Sequence, residues 1–305
     1  MISVLFLKFI IYTPRYDELA GGSIVLHKLC DKLNKMGHTA LVWPMGKPRF
    51  DWKSTHRFVF DAALHFCTRL YRPKFGTRVG YQTPVARPQD VDDAIVIYPE
   101  IVSGNPLNAE RYVRWFLHRP GFHFRKFRYR RGDLFFYYQE AFNKGAAGMI
   151  CGGRLVLVEY FRDIYKMVND GPRTKVCHMV RKGSKRDDLP DLSQAWVIDG
   201  LSHAETAAAF NECKVCYFYD SHTLYTTYAV LCGCIPVIVP EGGQPKELWV
   251  PEVELRYGIA YGIGECDYAL ATRDLLLARL NDVEAQNDRS IAHFVNTVRR
   301  FFVMA

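Results

Sequence analysis

The sequence predicts an α/β protein made of two domains, each with a doubly wound parallel sheet. Its 305 residues, 49% of them hydrophobic, can bury two ordinary cores. Short runs of β-branched and aromatic residues alternate with segments in which apolar residues recur at helical spacing. One stretch, residues 215–239, contains a complete β-α-β unit, whose right-handed crossover makes its two strands parallel.

The first half of the chain supplies the elements of the first sheet. Ser23, which follows two glycines, is predicted to cap a helix that ends at Gly37-His38. The other predicted elements are strands over 6–12, 39–42, 93–98, 133–138 and 155–158, a helix over 54–71, and a helix that begins at Pro106 and places Ala109, Val113, Phe116 and Leu117 on one apolar stripe.

The second half repeats this pattern after Asn169-Asp-Gly-Pro172, the best candidate for a linker. Ser202, with Glu205 three residues later, has the spacing of a capping box and predicts the start of a helix. The other predicted elements are a strand over 174–180, a strand that ends within 196–202, the β-α-β unit, a short strand or turn over 257–263 and amphipathic segments over 268–280 and 287–302.

Within the β-α-β unit, residues 215–219 predict a buried strand and residues 235–239 a second one. Asp220 and Ser221 supply N-cap chemistry for the helix between them, and Gly233 is predicted to end that helix as its C-cap. The loop after the first strand lies at the carboxyl edge of the sheet, where open α/β folds bind ligands. Hydroxyl groups beside unpaired helix amides would suit a phosphate there, and they belong to Thr223, Tyr225, Thr226 and Thr227.

The same segment resembles the signature of GT-B glycosyltransferases with retaining, family-4-like C-terminal domains. In that signature an acidic residue, seven spacers and a glutamate precede Ala-x-x-x-Gly-x-Pro-Val. Here Asp220 holds the first acidic position and Tyr228 replaces the glutamate. Ala229, Gly233, Pro236 and Val237 follow, with two residues rather than one between the glycine and the proline. The resemblance implies two Rossmann-like domains facing across a cleft and transfer of a sugar from a nucleotide-activated donor to a glycan or glycolipid acceptor, in bacterial surface-polysaccharide synthesis. It also implies retention of anomeric configuration, and it leaves open how a donor ribose is held, because the family's glutamate usually holds it.

The resemblance also implies a domain layout. Residues 1–168 would form the acceptor domain and residues 169–285 the nucleotide-sugar domain. In enzymes of this fold the last helix crosses back to the first domain, so a helix over about 286–305 would pack there.

A candidate donor site follows from the cations after the strand over 174–180. Fixed positive groups at a strand's carboxyl edge can neutralise a leaving nucleoside diphosphate, although a solvent-exposed basic turn is also typical of such a run. In the resembled family an Arg and a Lys at this place bind the diphosphate, and the next loop lies near the nucleobase. The candidate donor-binding residues are Arg181, Lys182, Lys185, Asp199, Ser202, Thr223, Tyr225, Thr226, Thr227 and Tyr228.

Candidate acceptor residues lie in the first half. Glu100 follows the strand over 93–98, at the sheet edge that also carries the glycine pair, and its carboxylate could orient an acceptor hydroxyl or act as a base. A solvated loop acid or a helix-capping partner is an equally good interpretation. The resemblance adds acceptor contacts from Asp17, Gly21, Gly22, Ser23 and Asn105, and it makes Asp220, directed at the sugar, and Glu100 the candidate catalytic residues.

The net charge of +8 implies acidic partners, which could be nucleotide phosphates, nucleic acid or an anionic membrane surface. A run over 123–131 interleaves cations with aromatic rings. It predicts either a solvated loop or contact with a membrane or acceptor through Arg125–Arg131. The alternative to an enzyme is a basic polyanion- or nucleic-acid-binding protein with a non-catalytic GT-B-like fold, whereas the transferase interpretation expects no nucleic acid.

Nine cysteines without framework spacing favour reduced thiols and a cytoplasmic location. Cys213 and Cys216 have the spacing of half a metal site, but no second pair follows, so buried thiols are the better interpretation. We expect neither metal nor other cofactor, because the cations and a helix terminus would carry the charge of a diphosphate. The chain lacks a run of roughly 20 apolar residues, so the protein is expected in the cytoplasm or at the inner face of the membrane.

Overall fold

The computed structural model describes residues 6–49, 59, 63, 74–121 and 128–302. Apart from Val59 and Ala63, the helix predicted over 54–71 lies outside the described residues, as do residues 123–127 of the basic run. The chain divides into two compact units, Met1–Glu159 with Glu284–Ala305, and Tyr160–Val283. Each unit contains a parallel sheet, which confirms the predicted α/β class with two parallel sheets.

The first unit contains a six-stranded sheet in the order β2-β1-β3-β4-β5-β6, with every neighbouring pair parallel. Helix α1 (Gly21–Lys35) connects β1 to β2. The strands are β1 (Lys8–Thr13), β2 (Thr39–Pro44), β3 (Ile95–Pro99), β4 (Arg111–Phe116), β5 (Leu134–Tyr137) and β6 (Ile150–Arg154). The order reverses between β1 and β3, and this topological switch is where open sheets of this kind form a crevice.

One face of this sheet forms the main core of the first unit. Leu26, Leu29 and Leu33 of α1 pack on it at the predicted helical spacing. The last helix of the chain, α6 (Arg273–Phe302), adds Ile291, Phe294, Val295 and Val298 to the same core. The rings of Phe294 and Phe136 meet edge to face with their centroids 4.7 Å apart. Apolar burial of this kind is the main stabilising term of the fold.

The second unit has a four-stranded parallel sheet in the order β10-β9-β8-β7. Its strands are β7 (Lys175–Met179), β8 (Cys213–Phe218), β9 (Ile235–Ile238) and β10 (Ala260–Tyr261). Its helices are α2 (His203–Glu212), α3 (Tyr225–Leu231), α4 (Lys246–Trp249), α5 (Cys266–Ala271) and the start of α6.

A short segment extends this sheet beyond β7. The N–H of His178 donates to the carbonyl of Trp196, and the N–H of Ile198 donates to the carbonyl of His178, each at 2.9 Å. The predicted strand here is therefore only a single parallel bridge at Val197. Counted as the second element of the unit, it gives the sheet order 2-1-3-4-5, which matches the first five strands of the first unit. The second switch then lies between β7 and β8.

Two predictions of regular structure in the first unit are wrong. The segment predicted as a helix from Pro106 contains β4, because Val113 and Trp115 alternate with Arg114 and Phe116 across two faces of the sheet. The last strand of the sheet lies at 150–154, whereas the predicted strand over 155–158 is irregular although Leu155 and Leu157 are buried. Among the helices that the structure describes, none is both long and apolar enough to cross a membrane.

Candidate functional site

The loops that leave β7 and β8 flank the topological switch of the second unit. The first loop is a 3₁₀ helix, Arg181–Lys185, and the second begins at Tyr219. They pack tightly because residue 183 is glycine: a Cβ atom there would lie 2.3 Å from the carbonyl oxygen of Tyr219. The predicted cations and the predicted catalytic loop are therefore neighbours at one sheet edge.

Asp199 holds the first of these loops. Its two carboxylate oxygens accept hydrogen bonds from the backbone N–H groups of Val180 and Arg181, at 2.8 and 2.7 Å. Arg181 has φ +45°, in the left-handed region that L-residues other than Asn and Asp rarely adopt. Asp199 thus fixes the cation loop, a role that its sequence context did not indicate; a contact with a nucleobase stays a prediction.

The side chain of Arg181 rests on an aromatic platform. Its guanidinium lies 4.5 Å from the ring centroid of Tyr225, in cation–π geometry. The ring of Tyr225 is parallel to that of His203 within 3°, with centroids 5.8 Å apart, and His203 Nδ1 is hydrogen-bonded to the Tyr165 hydroxyl at 2.5 Å. Tyr228, which replaces the signature glutamate, stacks on Tyr165 at 4.2 Å and is buried.

Three exposed cations therefore occupy one turn at the switch: Arg181, Lys182 and Lys185. Within the part of the chain that the structure describes, none of them forms an ion pair. Arg186 differs, because it pairs with Asp188 at 2.7 Å and donates to the carbonyls of Val239 and Pro240 at 2.8 and 2.9 Å. It ties the end of β9 to this turn, whereas the other three cations are available to an anion.

The threonine-rich turn differs from its prediction. Helix α3 begins at Tyr225 and has seven residues, so Asp220 and Ser221 do not cap it. Thr223 Oγ1 accepts from the N–H of Tyr225 at 3.3 Å, and Thr226 Oγ1 donates to the carbonyl of Thr223 at 2.9 Å. The proton of Thr226 is therefore used inside the turn, whereas Thr223 acts there only as an acceptor. Contact of this turn with an anion stays a prediction. At the other end the helix stops at Gly233 as predicted, although the C-cap is Cys232 and Gly233 is the residue after it, with φ +84°.

Two further candidate residues lie in loops of the second unit, Asp220 after β8 and Ser202 before α2. Asp220 is buried two residues after the end of β8 and accepts from the N–H of His222 at 3.4 Å. The indole of Trp249 donates to the carbonyl of Ser221 at 2.8 Å and holds the same loop. Ser202 caps α2 as predicted: its hydroxyl accepts from the N–H of Glu205, while the Glu205 carboxylate accepts from the Ser202 N–H at 2.9 Å.

In the first unit, the loops after β1 and β3 flank the corresponding switch. Helix α1 starts at Gly21 with Ala20 as its N-cap, so the prediction that Ser23 caps it is wrong. The Ser23 hydroxyl instead accepts from the N–H of Asp17 at 2.8 Å and donates to the carbonyl of Arg15 at 3.1 Å. It folds the loop before the helix rather than the helix itself.

Glu100 lies at the same switch. It is buried, and its carboxylate accepts from the N–H of Leu117 at 3.0 Å. The Leu117 side chain is also the neighbour of Gly22, so Gly22 and Glu100 share a contact with one residue. Asn105 locks the loop after β3, because its amide bonds the Tyr98 hydroxyl and both backbone groups of Ala109 at 2.8 to 3.0 Å. Glu100 and Gly22 are thus brought together, while the Asn105 amide is used within its own loop.

The sequence pattern did not predict that Arg114 of β4 would be a buried cation. Arg114 is fully buried, forms an ion pair with Asp133 at 3.3 Å and donates to the carbonyl of Val102 at 2.9 Å. Its guanidinium lies 5.1 to 5.4 Å from the ring centroids of Tyr98, Tyr112 and Tyr129. Asp133 stands 19 residues away in the sequence, so no local pattern could reveal the pair.

The C-terminal end of the basic run lies beside the loop after β3. The N–H of Arg128 donates to Ser103 Oγ at 2.9 Å, and the Tyr129 hydroxyl donates to the carbonyl of Glu100 at 3.0 Å. Arg128, Arg130 and Arg131 are exposed. The described part of this run is therefore anchored to the loop that carries Glu100.

Metal-binding side chains and reactive cysteines would be other sources of chemistry in the ranges that the structure describes. They contain no group of three or more His, Cys, Asp or Glu side chains that could hold a metal ion. Their cysteines are free thiols, and burial raises the pKa of Cys232 to about 12. The Cys232 thiol is therefore a weak nucleophile at neutral pH.

No family model and no curated protein matches this sequence. Two solved structures align with nearly the whole chain. Sucrose-phosphate synthase from Thermosynechococcus elongatus is 9% identical, with a TM-score of 0.40 and coverage of 97% of this chain and 95% of that one. Spinosyn forosaminyltransferase is 12% identical, with a TM-score of 0.30 and the same two coverages. The function proposed below rests on the residues of the two switches.

Proposed function

We propose that the protein is a glycosyltransferase that moves a sugar from a nucleotide-activated donor to a glycan or glycolipid acceptor. The observation that carries the proposal is the turn at the second unit's switch, where three exposed cations without ion-pair partners in the described structure stand together. One of them, Arg181, is fixed at both its backbone and its side chain. Preorganised cations at a ligand-binding edge suit a nucleoside diphosphate, which carries concentrated negative charge.

In this proposal the cations act on the leaving group. Breaking the bond between the sugar and the diphosphate develops negative charge on the phosphate oxygens. Arg181, Lys182 and Lys185 would neutralise it without a metal ion or another cofactor, and because they are already in place they would need little reorganisation. Asp220, which the tight packing at Gly183 keeps beside this turn, would be directed at the sugar.

Glu100 and the loop of Gly21 and Gly22 would receive the acceptor. The buried carboxylate of Glu100 accepts a backbone hydrogen bond from Leu117, which holds it in place. A carboxylate can accept several hydrogen bonds, and one of them would come from an incoming hydroxyl. A base must lie within hydrogen-bond reach of the proton it removes, and a carboxylate at a switch crevice meets that need once the acceptor is bound.

Finer features of the proposal come from the sequence. The signature around Asp220 favours retention of configuration and a place in surface-polysaccharide synthesis. The exposed cations Arg128, Arg130 and Arg131 favour binding to the inner face of a membrane, where anionic lipids would be the partner.

Thermal-shift measurements with a panel of nucleoside diphosphates and nucleotide sugars test the proposal. One nucleotide should raise the melting temperature of the wild type, and Arg181→Ala should abolish that rise, because a protein that binds a ligand only when folded is stabilised by it. Lys214→Ala is the matched control, since it removes one exposed charge from the opposite end of β8. The absence of any shift, together with salt-sensitive binding to nucleic acid, would contradict the transferase and favour the polyanion-binding alternative.

A further inference from the structure

The backbone of Arg181 requires an outside constraint. Its φ of +45° costs an L-residue enough free energy to disfavour this conformation roughly tenfold or more, and such strain persists only where neighbouring groups impose it. Asp199 is such a neighbour, because both of its carboxylate oxygens accept N–H groups from the turn, at 2.8 and 2.7 Å. The loop is further limited on its inner side by Tyr219, whose carbonyl leaves no room for a side chain at Gly183.

The conformation of Arg181 decides where its charge lies. With this backbone, the guanidinium stands 4.5 Å from the centroid of the Tyr225 ring. Tyr225 is itself buried and parallel to His203. The platform is therefore in place before any ligand binds, and the remaining condition for presenting the guanidinium on it is the backbone that Asp199 holds.

We propose that Asp199 is a positioning residue for anion binding: it keeps Arg181 in the left-handed conformation that places the guanidinium on Tyr225. The inference rests on the proposed function for its ligand, a diphosphate. It makes a prediction opposite in sign to simple electrostatics. Removing a negative charge beside three cations should strengthen anion binding by long-range attraction, whereas loss of positioning should weaken it.

The first test does not depend on a ligand. In the wild type, NMR should show ring-current shifts of the Arg181 side-chain signals caused by Tyr225, with Tyr225→Leu as the reference without the ring. Asp199→Asn, which keeps the size of the side chain but loses one acceptor, should move these signals toward that reference. Asp187→Asn is the matched control, because Asp187 is exposed on the same basic segment and has the same charge. Unchanged Arg181 shifts in Asp199→Asn would overturn the inference.

The second test measures binding of inorganic pyrophosphate and of UDP by calorimetry. Asp199→Asn should weaken both about tenfold, as expected from the loss of a constraint against left-handed backbone. Asp187→Asn should bind equally well or slightly more tightly. In an Arg181→Ala background, Asp199→Asn should cause no further loss, because a positioning residue acts only through the residue it positions.

The outcomes separate the two proposals. Tighter binding by Asp199→Asn, or an equal additional loss in the Arg181→Ala background, would refute the positioning role while leaving diphosphate binding intact. If the wild type binds neither probe, the proposed function fails, and the NMR shifts still decide whether Asp199 holds Arg181. A lowered melting temperature with unchanged Arg181 shifts would identify Asp199 as a merely structural residue and would also refute the proposal.

Discussion

Replacing Gly183 by alanine should damage the donor site through a single added methyl group. The new Cβ would lie 2.3 Å from the carbonyl oxygen and 2.6 Å from the carbonyl carbon of Tyr219, both of which belong to the backbone. Ordinary contacts begin near 3.4 Å, so the 3₁₀ turn and the end of β8 must separate by about 1 Å. Overpacking of this kind costs about 1–3 kcal/mol of folding free energy. The same shift moves the cations of the turn away from Asp220.

The assay combines urea unfolding with calorimetric titration of pyrophosphate or of the nucleotide found by thermal shift. We expect Gly183→Ala to lower the free energy of unfolding by about 1–3 kcal/mol. We also expect it to weaken binding of the anion at least tenfold, because a displacement of about 1 Å moves the cations out of their preorganised positions. Ser184→Ala, at the next and exposed position, should change neither quantity. If Gly183→Ala matches the wild type in both measurements, the two loops are not packed as described.

Two further predictions concern the first unit. Asp133→Ala should lower the free energy of unfolding by about 3–5 kcal/mol, because it leaves the buried Arg114 without its ion-pair partner. The double variant with Arg114→Met should be less destabilised than Asp133→Ala alone. Urea unfolding of both variants measures this, and equal losses of stability would contradict it. Burial lowers the pKa of His27 below its usual 6.5, so this histidine stays neutral in the fold while the unfolded chain takes up a proton. The free energy of unfolding should therefore fall as the pH drops below about 6.5, and it should fall less in His27→Gln. If NMR finds a pKa above about 6.5 for His27 in the folded protein, burial of this histidine is not the cause.

Features with short-range signals were predictable from the sequence. The capping box of Ser202 and Glu205 lies within four residues, and it was found where the pattern placed it. The strands of the β-α-β unit were also correct to within a residue or two, because β-branched and aromatic runs bounded by turn residues are distinctive. Gly233 at the end of α3 follows from the same local chemistry.

The errors come from distant partners. The helical spacing of Ala109, Val113, Phe116 and Leu117 made β4 look like a helix. The burial of Arg114 against Asp133, 19 residues later, fits a strand that is buried on both faces. Helix α3 starts later than Asp220, and the loop before it is held at Ser221 by Trp249, 28 residues further on. Neither partner is visible in a local window of sequence.

The candidate site shows the same contrast between features with local sequence signals and features that depend on distant residues. The sequence indicates cations at the end of β7, since charge and glycine beside a buried strand are local features. The means by which Arg181 is fixed is not local: Asp199 lies 18 residues on, and Tyr225 belongs to another element. Sequence reasoning therefore located the loop and its charge but missed the contacts that hold it.

Hydrogen exchange with and without the nucleotide tests the central claim most directly, namely that the second unit's switch binds a diphosphate. Saturation with the nucleoside diphosphate that gives the largest thermal shift should slow exchange in peptides covering 180–186 and 219–226. In Arg181→Ala at the same ligand concentration this protection should be lost. Protection confined to other peptides, or no protection from any member of the panel, would contradict the account.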